Sequence, residues 1–152
     1  MIIEKLMSFL DKNYHQKRIS NFLQDKSIKT IIDVGAHKGE FINCSLQINS
    51  VEKVIAFEPQ KEIFFLLKEK FINNNKINLN NIALDINEGK KIIKINKLSS
   101  TSTLNEIDND SLYFKFKSFL LYEKDSIISE YEINTTSFDN FFYGKKFDKN
   151  TL

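Results

Sequence analysis

The sequence predicts an α/β protein built on a parallel sheet, and three observations carry that prediction. Short β-branched runs alternate with amphipathic segments in the order strand, helix, strand, helix, strand, the pattern of right-handed crossovers in a parallel sheet. The first run ends in a glycine turn, "IIDVGAHKGEF". The second ends in an acid followed by the only proline, "KVIAFEP".

Each element follows from its residues. Ile3, Leu6 and Leu10 recur at helical spacing, and a second short helix carries Ile19, Phe22 and Leu23. Residues 1–29 are therefore expected to be N-terminal helices ahead of a sheet domain over 30–152. "KTIIDV" is a buried strand, apolar on both faces and ended by glycine. "EFINCSLQI" places Phe41, Cys44 and Ile48 on one helical face. "KVIAFEP" is the second buried strand, and "KEIFFLLKEKFI" a helix with Phe64, Leu67 and Phe71 on one stripe. Asn73–Asn75 is a helix exit and turn. "KINLNNIAL" is the third strand. "EGKKIIKINKL" alternates Ile and Lys, as a half-exposed strand does, and "YEINTTSF" is a further strand. Part of Asn105–Leu121 between them is expected to be helical.

Composition excludes several classes. The chain has 152 residues, 41% hydrophobic and 28% charged, enough for one core that buries roughly 70% of the unfolded surface. A net charge of +2, with Arg18 the only arginine, gives no electrostatic case for a nucleic-acid or membrane partner. The single cysteine, Cys44, excludes an internal disulfide framework and a cysteine-rich metal site; it reads as a small core residue. Glu4 and Lys5 interrupt the apolar N-terminus, which lacks the long uncharged core of a signal peptide or membrane span. A cytoplasmic protein is expected, with no metal.

The candidate site lies where the first two strands end. Two of the four glycines, Gly35 and Gly39, bracket the first turn. Glycine there lets the backbone turn tightly and lets a ligand approach, and ligands of open α/β sheets bind beyond the carboxyl ends of the strands. Gly39 opens a helix, whose free N–H groups favour acidic or polar groups. The G-x-x-x-G spacing differs from the G-x-G-x-x-G of dinucleotide folds and equally suits a plain strand–helix turn. Glu58 closes the second strand some two dozen residues later. A carboxylate there suits a ribose cis-diol, or it caps the next helix. Asp85 and Asp139 read as solvated or turn-forming acids, and His15 as a surface residue.

"IIDVGAHKGEF" and "VIAFEPQKEIFFLLKEKF", followed by "NIALDINEGKKIIKI", "SSTSTL" and "INTTSFDNFF", together resemble the FkbM family of S-adenosylmethionine-dependent methyltransferases, over roughly Ile31 to Phe142. The resemblance implies a Rossmann-like methyltransferase sheet with an added β-hairpin after strand three. It implies methyl transfer from S-adenosylmethionine to a hydroxyl oxygen of a sugar or polyketide-like small molecule. By position, Asp33, Gly35, Ala36, His37 and Gly39 would surround the methionine part of the cofactor. Glu58 would hold the ribose, Pro59 and Gln60 would flank the adenosine, and Asn81, Ile82 and Ala83 would lie near the adenine. Ser100–Thr103 would face the pocket from the hairpin. His37 could bond the cofactor carboxylate or point to solvent.

The family pattern continues after "TTSFDNF" into a strand reading approximately K-I-D-V-E-G, and this sequence stops at Asn150–Thr151–Leu152. The fold is therefore expected to be incomplete at its C-terminus, with the edge of the first strand unpaired and open to oligomerisation. No residue is identified as the catalytic base. The competing reading is a cofactor-binding fragment without turnover; a dinucleotide-dependent enzyme fits less well.

Overall fold

The computed structural model describes residues 17–96, 127–147 and 149–152. The helices expected before residue 17, the Ser100–Thr103 segment and the helical stretch within Asn105–Leu121 lie outside the described residues. The chain divides into two compact units, Met1–Gly89 with Asn134–Leu152, and Lys90–Ile133.

The first unit holds a three-stranded parallel sheet of β1 (Thr30–Val34), β2 (Lys53–Phe57) and β3 (Ile77–Asn80), in that order. The register pairs Val34 with Phe57 and Phe57 with Asn80. All three strands thus end level, and Gly35, Glu58 and Asn81 follow them side by side.

Strand alternation sorts the side chains into two layers. Ile31, Val54, Ala56, Ile77 and Leu79 share one layer with Leu23, Ile42, Ile48, Val51 and Leu67. Those partners come from α1 (Lys17–Gln24), α2 (Glu40–Ser45), the turn after α2 and α3 (Lys61–Lys70). On the opposite face Ile55 and Phe57 pack with Phe142, Ile32, Ile82, Leu84 and Phe141. Burial on both faces is why these strands read as apolar runs without alternation. Cys44 is buried in the first layer's neighbourhood, where burial pushes its thiol up against the pull of bonds with Ser20. In α1 Leu23 and Ser20 are buried, whereas Ile19 and Phe22 are exposed. The buried face of that helix includes the Ser20–Cys44 contact beside Leu23.

The single third strand expected from "KINLNNIAL" is two. β3 joins the first sheet, and β4 (Ala83–Leu84) leaves it to pair in parallel with Thr135 and Thr136 of β6 (Ile127–Thr136). The break falls at Asn81, whose amide donates to the Glu58 and Pro59 carbonyls at 2.8 and 3.1 Å. Ser137 then caps α4 (Phe138–Phe141) by accepting the Asn140 N–H. Phe141 meets Phe57 edge-on at 4.8 Å, and Phe142 meets Phe147 at 4.9 Å.

In the second unit β5 (Gly89–Asn96) neighbours β6, in the sheet order β4-β6-β5. Ile93 and Ile133 are buried while Ile92 is exposed, which is the alternation the Ile/Lys pattern predicted. Lys90 and Glu132 pair at 2.7 Å on the surface.

The edge of β1 departs from the expectation of an unpaired strand. Thr151 bridges Thr30 in parallel. Lys29 N–H donates to the Asn150 carbonyl at 2.9 Å, Ile32 N–H to the Leu152 carbonyl at 2.8 Å, and Leu152 N–H to the Thr30 carbonyl at 2.9 Å. The segment that pairs with this edge, Asn150–Leu152, is too short to carry a hydrophobic period.

Candidate functional site

The level ends of β1, β2 and β3 bring most of the expected residues together. After Val34 the chain turns back over the sheet: the N–H groups of Gly35 and Ala36 both donate to the Phe57 carbonyl at 2.9 Å. Gly35 has φ +85°, and a Cβ added there would meet nothing within 4 Å. Its glycine is required by backbone conformation, and the space beside it is open. Ala36 is buried.

Gly39 does a different job. It has φ +73°, and an added Cβ would lie 2.7 Å from Phe71 Cε2 and 2.8 Å from Leu67 Cδ2. It is the point where the turn packs on α3. Gly39 opens α2, which runs for six residues, and its own N–H donates to the Ala36 carbonyl at 2.7 Å.

Glu58 sits at the centre. Its Oε2 accepts the His37 N–H and its Oε1 accepts the Gln60 N–H, both at 2.8 Å. Glu58 is 3% exposed. It joins the glycine turn to the residue that precedes α3, so the capping reading describes one oxygen. Each oxygen keeps a second lone pair for a further donor. Burial raises its carboxyl pKa, and the Gln60 and His37 N–H groups pull it back down. Gln60 is buried, Pro59 is half-buried, and Asn81 holds both preceding carbonyls in place. Ile82 packs against the cluster of Ile55, Phe57 and Phe142, and Ala83 is buried in β4.

Asp33 lies on the helix-side layer of β1, beneath the turn. It is 9% exposed, and its Oδ2 is buried without a hydrogen-bond partner. Burial first, then the Glu58 carboxylate and the Glu40 carboxylate, push its carboxyl up to about 6. A lone buried acid is unfavourable unless something pairs with it. Two acids beside an open glycine turn favour a cation next to one and hydroxyl donors next to the other.

The sequence profile described as "Methyltransferase FkbM domain" matches residues 33–151. The chain belongs to the FkbM methyltransferase family. The FkbM match takes in Asp33, Gly35, Glu58 and Asn81, and also Thr151 on the β1 edge. No curated protein matches this FkbM chain. Among solved structures it is similar to the crystal structure of a presumed RNA methyltransferase from Pyrococcus horikoshii, at 24% identity and a TM-score of 0.37. That similarity covers 43% of this chain and 34% of the other, so this chain spans about a third of that relative.

One contributor to the candidate site, Lys70, has no signal in the sequence. Lys70 Nζ donates to the Lys38 carbonyl at 2.7 Å, although a lysine in the last turn of a helix reads as a solvated charge. Glu40 acts on Asp33 through space. His37 has φ +45° and is half-buried. Asp85 forms a turn, with its Oδ1 accepting the Ile86 N–H, and Asp139 stands in the first turn of α4. Among the described residues no helix is long and apolar enough to cross a membrane. No group of three or more His, Cys, Asp or Glu among them could hold a metal ion.

Proposed function

We propose that this chain binds S-adenosylmethionine and supports methyl transfer to a hydroxyl oxygen of a small molecule, such as a sugar or a polyketide-like acceptor. The observation that carries the reading is Asp33: a buried carboxylate with an unpartnered oxygen, under a glycine turn that leaves open space at Gly35. A cationic ammonium or sulfonium group fits that position, because it would supply the missing partner. Glu58, with a lone pair left on each oxygen, fits a ribose diol.

Bound there, S-adenosylmethionine supplies a methyl group already activated on a sulfonium. The residues of this chain would do the holding. Asp33 would offset the positive charge, Glu58 would fix the ribose while keeping the turn shaped, and Pro59 and Asn81 would set the wall beside the adenosine. The contribution of such a scaffold is alignment and exclusion of water. Family membership supports the methyl-transfer chemistry, and the parallel sheet β1-β2-β3 is compatible with it.

The test is a labelled-methyl assay against a panel of hydroxylated acceptors. Label incorporated into a sugar hydroxyl, and lost in Gly35→Val, supports the reading. Incorporation only into nucleic acid or protein amines contradicts the choice of acceptor.

A further inference from the structure

We infer that α3 is a strut that sets the glycine turn from both of its ends, and that Lys70 is a positioning residue for the cofactor site. The inference rests on the cofactor reading proposed above. Its geometry stands independently.

The turn needs holding. His37 and Gly39 both have positive φ, +45° and +73°. Glycine adopts such angles freely, but histidine does so at a cost and only where its surroundings impose it. The peptide groups on either side of this strained segment are both anchored. Ahead of it, Glu58 accepts the His37 N–H and also the Gln60 N–H at the start of α3. Behind it, Lys70 at the other end of α3 donates to the Lys38 carbonyl from 32 residues away. Leu67 and Phe71, on either side of Lys70 in sequence, close against Gly39. The Lys70 ammonium also lies 5.1 Å from the centre of the Phe71 ring, fixing the ring that meets Gly39.

An ordinary lysine at a helix C-terminus serves the carbonyls of its own helix. Here the ammonium serves a carbonyl of the ligand-side turn. A charged donor makes a stronger bond than a neutral one, and its loss frees the Lys38 peptide to rotate. Rotation there alters the path from Gly35 to Gly39, and with it the fit of anything bound beside Gly35.

Two measurements on the full chain test this, with wild type, Lys70→Met and Lys70→Arg. The first is amide hydrogen exchange without ligand. Lys70→Met should speed exchange at His37 and Gly39 roughly three- to tenfold, the worth of about one hydrogen bond, while Ile32 in β1 exchanges at the wild-type rate. Lys70→Arg, which keeps a charged donor, should restore the slow rates. The second is titration with S-adenosylhomocysteine. Lys70→Met should weaken binding by a similar factor, and Lys70→Arg should recover it. Unchanged exchange at His37 and Gly39, or equal acceleration at Ile32, overturns the strut. Altered exchange with unaltered binding overturns the positioning role. A folded wild type that ignores S-adenosylhomocysteine instead refutes the cofactor reading, while the exchange result still judges the strut.

Discussion

The carboxylate of Glu58 accepts the backbone N–H of His37 at 2.8 Å across 21 residues of sequence. One side chain thereby couples the end of β2 to the tip of the turn after β1. Its other oxygen reaches Gln60, where α3 begins.

Glu58→Ala removes both acceptors and leaves two N–H groups short of partners. Each buried orphan costs about 1–3 kcal/mol. Urea denaturation should show a loss of about 2 kcal/mol or more, with Glu58→Gln losing less because its amide oxygen still accepts one bond. S-adenosylhomocysteine affinity should fall roughly ten- to a hundredfold in Glu58→Ala. A variant as stable as wild type would show that the carboxylate does not shape the turn.

Asp33 should make the ligand-free protein less stable as pH rises. Its folded pKa, about 6, exceeds the ordinary aspartate value of about 3.9. Below that ordinary value it is protonated in both states. Between the two values the folded state binds the extra proton, and the stabilisation this gives is lost as pH rises through about 6. Asp33→Asn should therefore match wild type near pH 4 and exceed it at pH 7.5 by up to about 3 kcal/mol. Glu58, also raised by burial, shifts the wild-type profile in the same direction. Urea melts at pH 4.5, 5.5 and 7.5 check the difference. A gap independent of pH contradicts the burial argument.

The two glycines should respond differently to alanine. Gly35→Ala meets only its positive φ, with open space around the new Cβ, and should cost about 1–2 kcal/mol. Gly39→Ala meets the same kind of strain and also Phe71 and Leu67 within 3 Å, which adds about 1–3 kcal/mol. Thermal melts of the two variants give the order. The reverse order would mean that the turn does not pack on α3.

Removing residues 150–152 strips the β1 edge of its partner. The bonds to Lys29, Thr30 and Ile32 disappear together, and an exposed apolar strand edge invites pairing with another chain. Sedimentation velocity should show more self-association in the shortened chain than in the 152-residue chain. Equal behaviour would mean that the bridge at Thr30 contributes little.

Much of the fold can be read from the residues because burial leaves marks on them. "TIIDV" and "KVIAF" are apolar on both faces because helices cover one side and Phe141, Phe142 and Leu84 the other. The glycine turn and the acid after β2 were visible for the same reason: special backbone angles and a lone acid at a strand end are rare. What escaped depends on tertiary contact. "KINLNNIAL" carries one hydrophobic pattern, yet Asn81 splits it by binding two carbonyls of another segment. Lys70 resembles any surface lysine until the Lys38 carbonyl is placed beside it. Asn150–Leu152, which pair with the β1 edge, are too few residues to show a period.

In the proposed function, the open space beside Gly35 receives S-adenosylmethionine. Isothermal titration of the wild-type chain with S-adenosylhomocysteine and with NAD, repeated on Gly35→Val, tests it most directly. Saturable one-site binding of S-adenosylhomocysteine, no binding of NAD, and loss of binding in a folded Gly35→Val variant are expected. Binding of NAD in place of S-adenosylhomocysteine, or equal S-adenosylhomocysteine binding by Gly35→Val, would contradict it.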